Sequence, residues 1–271
     1  MFFKKKEKVK DPNKKKGCLR NLIIGIVLLV IFGVATVFAV KDTLKIYGVS
    51  LGMFNEYVGW LNEEVDESKL TTNAIRENDL VTFNQKANES GLDIYDNNGK
   101  INFNIPALSL NSTITLYDYE VGAMINSAMA NSTTDTTVFR LLELTITPLD
   151  DDNYQLKTVV KLDITDIKKS IGKKANKLPN NIYLTSVGNI NAVGSRVQTN
   201  NNTVRINQLS DDKNEKILSL IKNVSESNPD EEISDIADVN NYIVTEVLTS
   251  LAQKTGSKPK LASHTISFII N

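Results

Sequence analysis

The chain has 271 residues, 41% of them hydrophobic and 23% charged, with a formal net charge of −1. That near-balance hides an asymmetry. Residues 1–20 carry nine basic side chains against Glu7 and Asp11, which leaves residues 41–271 with 22 basic and 30 acidic side chains, net −8. An acidic main domain lacks the basic footprint that nucleic acid requires, and it offers no broad positive surface to anionic lipid.

The first element in chain order is the run from Asn21 to Val40, which contains no charged side chain. An apolar helix of about 20 residues rises about 30 Å, the thickness of a bilayer's hydrocarbon core. Lys4, Lys5, Lys6, Lys8, Lys10, Lys14, Lys15, Lys16 and Arg20 precede it. The positive-inside rule keeps that flank in the cytoplasm and places everything from Lys41 onward outside. Val37-Phe38-Ala39 offers the small residues of a signal-peptide cleavage site. The apolar run is longer than the 7–15 residues usual for a signal peptide, which favours a retained anchor. The division expected is a basic cytoplasmic tail (1–20), a transmembrane helix (21–40), a helical stalk (41–65) and an extracytoplasmic domain (66–271). Cys18, the sole cysteine, lies in the tail, so the exported part has no disulfide and depends on its core.

Leu44, Tyr47, Leu51, Phe54, Val58, Leu61 and Val65 recur at alternating steps of three and four. That is an a/d seam over three heptads, with two readings: a homodimer through Leu44, Leu51, Phe54, Val58 and Leu61, or a helix packed on its own domain. A second helix is expected over 72–90, with Leu80, Phe83 and Ala87 inward. Strands follow, each alternating between apolar and polar residues: Ile101/Phe103/Ile105, Leu142/Leu144/Ile146, Tyr154/Leu156/Val160/Leu162, Ile182 to Val187, Val204/Ile206 and Ile266/Phe268/Ile270. Period-two alternation means one face buried and one wet, the mark of antiparallel sheet. Turns are expected at Asp96-Asn97-Asn98-Gly99 and at Leu149 to Asn153.

Helices supply the cover for those faces. One starts near Asp118 and carries Val121, Met124, Ile125, Ala128 and Met129 as an apolar stripe. Thr115, three residues before Asp118, has the spacing of a capping box. A second helix covers Asp211 to Val224, with Ile217, Leu220, Ile221 and Val224 on one side. The longest runs from about Asp230 to Lys254, with Pro229 and acids at its start and Gly256 and Pro259 after its end. The fold class expected is α+β: an N-terminal transmembrane helix, then a curved antiparallel sheet packed on one face by long helices.

The catalytic search returns little. His264 is the only histidine, and counting back from Phe268 and Ile266 puts it on the apolar face of the last strand. With one histidine and no exported cysteine, no metal site of the usual zinc kind is expected. Neither a phosphate-binding glycine loop nor a Gly-x-Ser-x-Gly elbow is present, and no cofactor is implied. Asp150, Asp151 and Asp152 read as a solvated loop. A hydrolase built on two distant carboxylates stays open as an alternative.

Ile114-Thr115-Leu116-Tyr117-Asp118-Tyr119-Glu120-Val121-Gly122-Ala123-Met124-Ile125-Asn126 is a short strand running into a helix, with an acidic pair at the turn and an apolar residue then Asn downstream. This segment is similar to those of bacterial tubular lipid-binding (TULIP-like) and YpmS-like membrane-anchored proteins. The resemblance covers 13 residues. It departs at Tyr117 and Tyr119, where small or polar residues are common, and at Gly122. It implies a sheet wrapped round a long helix, leaving an apolar groove for a lipid. Val121, Met124, Ile125, Ala128 and Met129 would line that groove, and Thr115, Asp118 and Glu120 would stand at the helix start. The function expected is non-enzymatic binding of a lipid or other apolar envelope ligand. The alternative is an interaction or scaffold module of an envelope or division complex.

Overall fold

The computed structural model describes residues 50–95, 101–104, 112–132, 139–150, 153–171, 176–226 and 236–270. The apolar run 21–40, the turn at 96–99 and residues 41–49 of the stalk lie outside them. Among the described residues no helix is long and apolar enough to cross a membrane.

The chain enters through α1 (Leu51–Leu61), capped by the Ser50 hydroxyl, which accepts from the Met53 N–H at 3.2 Å. The helix stops at Asn62. Its side-chain amide donates to the Val58 carbonyl and to the Lys177 carbonyl, both at 2.7 Å. One turn, α2 (Glu67–Leu70), follows. The chain then runs as an irregular strap, residues 71–76, into α3 (Glu77–Glu89). The helix expected over 72–90 therefore loses its first turn, because the backbone of Thr72 and Ile75 is bonded to the sheet instead. Asp79 caps α3 by accepting from the Arg76 N–H at 2.6 Å. Phe83 and Ala87 are buried as expected.

A short ladder of β1 (Asp93–Tyr95) and β2 (Ile101–Asn104) comes next. β3 (Ser112–Tyr117) runs directly into α4 (Asp118–Ser132). Then come β4 (Phe139–Pro148), β5 (Tyr154–Asp163), α5 (Thr165–Ile171), β6 (Asn181–Val193) and β7 (Arg196–Ile206). Helices α6 (Asp211–Glu226) and α7 (Ile236–Thr255) lead to β8 (Lys260–Ala262) and β9 (Thr265–Ile270). The architecture is α+β, and among the described residues every strand pair is antiparallel. The larger sheet has the order β4-β5-β6-β7 and the smaller β3-β9-β8.

Register explains the core. Leu141, Val160, Leu184 and Ile206 form one row across the larger sheet, and Leu144, Thr158, Ser186 and Val204 the next. These rows face α4 and α7 and merge with Ile114, Leu116, Ile266 and Phe268 of the smaller sheet into one apolar cluster. Ile243, Val244, Leu248 and Leu251 are the buried face of α7. Gly256, at φ +68°, ends that helix, and the Ser257 N–H returns to the Ala252 carbonyl at 3.2 Å. The opposite face of the larger sheet carries a second cluster of Val65, Leu70, Leu142, Val159 and Tyr183, covered by α2 and the strap.

Three expectations are corrected here. The alternation of Leu142, Leu144 and Ile146 breaks at a β-bulge between Leu141 and Glu143, so Leu141 takes the core side and Leu142 the far side. His264 sits in the tight turn between β8 and β9 at φ +58°, so counting back along the strand does not apply to it. Tyr57, Val58 and Leu61 belong to the main core, so the folded body begins upstream of residue 66.

Candidate functional site

The junction of β3 and α4 is where chemistry-bearing groups converge. Asp118 opens the helix and is 0% exposed. One carboxylate oxygen, Oδ2, accepts from the Ile146 N–H at 3.0 Å and lies 2.9 Å from His264 Nδ1. Its Oδ1 accepts from the Tyr119 N–H at 2.9 Å and from Asn73 Nδ2 at 3.2 Å. The backbone closes the ring: Asp118 N–H donates to the His264 carbonyl, and His264 N–H to the Ile146 carbonyl. Asp118 thus fastens the β8–β9 turn to the edge strand β4. Burial pushes its carboxyl above the usual range, and the bonds from Ile146 and His264 only partly oppose this.

Glu120, two residues on, is also 0% exposed. Its Oε2 accepts from Lys86 Nζ at 2.8 Å and from the Tyr117 N–H at 2.7 Å. The helix start is therefore capped by Glu120 reaching back to Tyr117. The pair expected, Thr115 with Asp118, does not form a capping box. Thr115 lies on the exposed face of β3, with its hydroxyl 2.9 Å from that of Ser267. Tyr117 stacks on Tyr119, ring centres 5.1 Å apart, and Lys86 Nζ stands 4.2 Å above Tyr117 on its way to Glu120.

Glu143, at the bulge, is the third carboxylate at 0% exposure. Thr72 donates to it twice, from N–H at 2.8 Å and from the hydroxyl at 2.9 Å. Thr145 Oγ1 donates at 2.8 Å and Lys157 Nζ at 3.0 Å. Burial alone would raise this carboxyl, but the bonds from Thr145, Thr72 and Lys157 outweigh it and hold the carboxyl below its usual range.

The three acids share a task. Glu143 binds Thr72, Asp118 binds Asn73 and Glu120 binds Lys86, so each ties the strap or α3 to the body. A general acid or base must present a lone pair or proton to a substrate. The Asp118 and Glu143 oxygens are taken by protein donors, and Glu120 Oε1, which has no partner, is sealed from solvent. His264, 45% exposed at its side chain, turns Nδ1 inward and leaves Nε2 as the outer ring nitrogen. Among the described residues no hydroxyl or thiol is bonded to Nε2, and none of the acids groups with others in a metal-holding cluster. Sequence reasoning placed Glu143 on a wet face. Its burial depends on a bulge and a strap distant in sequence, which alternation does not signal.

The apolar stripe of α4 is also in place. Val121, Met124, Ile125 and Met129 are buried, and Ala128 is partly exposed. Val121 and Met124 have no accessible surface, which leaves no water-sized space beside them. Gly122 brings the helix close to the strap: a Cβ there would stand 2.3 Å from Ile75 Cδ1. Asn126 pairs with the Leu141 backbone in both directions, Nδ2 to the carbonyl at 2.8 Å and Oδ1 from the N–H at 2.7 Å. Of the seam proposed for a dimer, Val58 and Leu61 are packed into the chain's own core, and the side chains of Leu44, Leu51 and Phe54 lie outside the description. Comparison with family models, with curated proteins and with solved structures finds no match.

Proposed function

We propose that the chain is a single-pass, membrane-anchored protein whose extracytoplasmic domain is a non-enzymatic interaction module of the cell envelope. The anchor and orientation rest on the uncharged run 21–40 and its basic flank. The observation that carries the non-enzymatic reading is the use of Asp118, Glu120 and Glu143 as internal ties. Binding of an acyl chain along α4 would require the core to open, because Val121 and Met124 have no space beside them. The surface is then what the domain offers to others.

The test is mass spectrometry of residues 50–271, purified without detergent under conditions that keep non-covalent ligands. A cut at 66 would remove Tyr57, Val58 and Leu61 from the core. A bare mass is expected for a folded domain. A species heavier by a phospholipid or fatty acid would replace this reading with lipid binding between α4, α7 and the sheet.

A further inference from the structure

The outer strands of the larger sheet have their free edges bonded by side chains and by the strap. On β4, Asn126 takes both backbone groups of Leu141, and the Ile75 N–H meets the Leu142 carbonyl. Asp118 and the His264 N–H take the two groups of Ile146. On β7, the Thr249 hydroxyl bonds the Val197 N–H at 2.9 Å and its carbonyl at 3.4 Å. Asn214 bonds the Val204 carbonyl at 2.9 Å and the Ile206 N–H at 2.8 Å. A strand edge satisfied in this way is a poor template for another chain.

The smaller sheet, β3-β9-β8, is not closed in the same way on its β3 side. The Ile269 N–H donates at 3.1 Å to the hydroxyl of Ser257, which lies ahead of β8, and this bond fixes the polarity of the ladder. Ile269 turns its N–H away from β3. Its partner Thr113 therefore turns its own backbone groups away from β9, and by alternation so do Thr115 and Tyr117. The Tyr117 N–H is accordingly found outside the ladder, on Glu120. Among the described residues no strand lies on that side of β3, and no donor or acceptor meets the backbone groups of Thr113 and Thr115. Helix α3 touches the two ends of this window, where Ser112 Oγ donates to the Ser90 carbonyl and Lys86 reaches Glu120. The two threonines between those ends are exposed.

The strand itself is Ser112-Thr113-Ile114-Thr115-Leu116-Tyr117, with no charge, glycine or proline and an unbroken register against β9. Charged groups stand only round it. Lys86 is spent on Glu120, Glu89 accepts from Gln85, Asp79 caps α3, and Lys260 is two strands away. The open residues, Thr113 and Thr115, are placed symmetrically about Ile114. A twofold axis there would set Thr113 of one copy against Thr115 of the other, and the reverse. Four inter-chain backbone bonds would then use every open group of both windows. No like charges would face each other across the pair, and β-branched residues would fill its centre.

We infer that β3 pairs with β3 of a second copy of this chain, joining two three-stranded sheets into one of six. The inference rests on the reading of the domain as an interaction module and gives that module its partner.

The full-length chain is purified in detergent micelles, and its subunit number is read by native mass spectrometry across a dilution series. A dimer is expected. Thr115→Pro removes an N–H that points out of the sheet and leaves the bonds to β9 in place. By symmetry it deletes two of the four inter-chain bonds. At about fivefold per bond, the dimer's dissociation constant should rise about 25-fold. Thr113→Lys with Thr115→Lys places lysines directly opposite each other in the dimer and on exposed positions in the monomer. It should abolish pairing at low salt, with partial recovery at high salt, and leave the melting temperature of the monomer unchanged. If Thr115→Pro does not fold, the lysine pair decides. A wild-type chain that stays monomeric would overturn the inference, and so would a dimer that both variants leave intact. Either result leaves the interaction-module reading standing, because that reading is tested by the bound mass of residues 50–271.

Discussion

Replacing Glu143 with glutamine tests the claim that the buried acids hold the strap to the sheet. The substitution keeps shape and removes the charge. Glutamine has one acceptor oxygen where four donor contacts now converge, from Thr72 N–H, Thr72 Oγ1, Thr145 Oγ1 and Lys157 Nζ. Its amide nitrogen would point at donors. Breaking a buried pair costs about 3–5 kcal/mol, and Lys157 is partly exposed, so solvent reduces that figure to about 2–4 kcal/mol. The assay is urea unfolding of both proteins at neutral pH, with the slope unchanged and the midpoint lowered. The pH record has a definite sign. Glu143 has a folded value below its unfolded one, so its stabilisation is present above the ordinary glutamate range and is lost as pH falls through the lowered value. The wild type should lose this increment on acidification, and the Gln variant should not have it to lose. A difference under about 1 kcal/mol, or identical acid profiles, would refute the clamp.

Other outcomes follow from the same contacts. Asp118→Asn should change the pH profile in the opposite sense. A carboxyl raised by burial opposes folding once ionised, so the wild type loses stability as pH climbs from the unfolded value through the folded one, and the variant lacks that loss. Asn126→Ala leaves the Leu141 N–H and carbonyl without their partner and should cost about 1–3 kcal/mol in thermal or urea unfolding. His264→Gly should be more stable than His264→Ala by about 1 kcal/mol, because φ +58° strains alanine and suits glycine. Met124→Ala should cost about 2–5 kcal/mol, the range for a cavity in a filled core, and a value near zero would reveal space beside α4.

Strands with an uninterrupted period of two were legible: β5 and β9 point Leu156, Val160, Leu162, Ile266, Phe268 and Ile270 inward as their alternation predicts. The stripes of α6 and α7 were legible for the equivalent reason at period 3.6. The long hairpin of β6 and β7 was read only near its ends. In its distal half Asn189, Asn191, Gln198 and Asn200 alternate with only Ile190 and Val197 as buried core residues, a sparser apolar pattern than that of β5. Glu143, the strap and the His264 turn escaped notice because each depends on a partner far along the chain: Thr72 for the acid, the β4 edge for the strap, Asp118 for the turn. Local pattern carries no record of such pairings. The capping acid was misplaced by two residues, since Thr115 with Asp118 and Tyr117 with Glu120 both have the three-residue spacing and only the position of the strand's end separates them.

Cys18 offers the most direct measurement of the account's central claim, an exported domain on a retained anchor. It is the sole cysteine and lies before the apolar run. Intact cells expressing the chain are treated with a membrane-impermeant maleimide, then permeabilised and treated again, while external protease probes the domain. The account predicts no labelling before permeabilisation, labelling after it, and digestion of the domain from outside in intact cells. Cys18 labelled in intact cells, or a domain protected from external protease until permeabilisation, would contradict the topology.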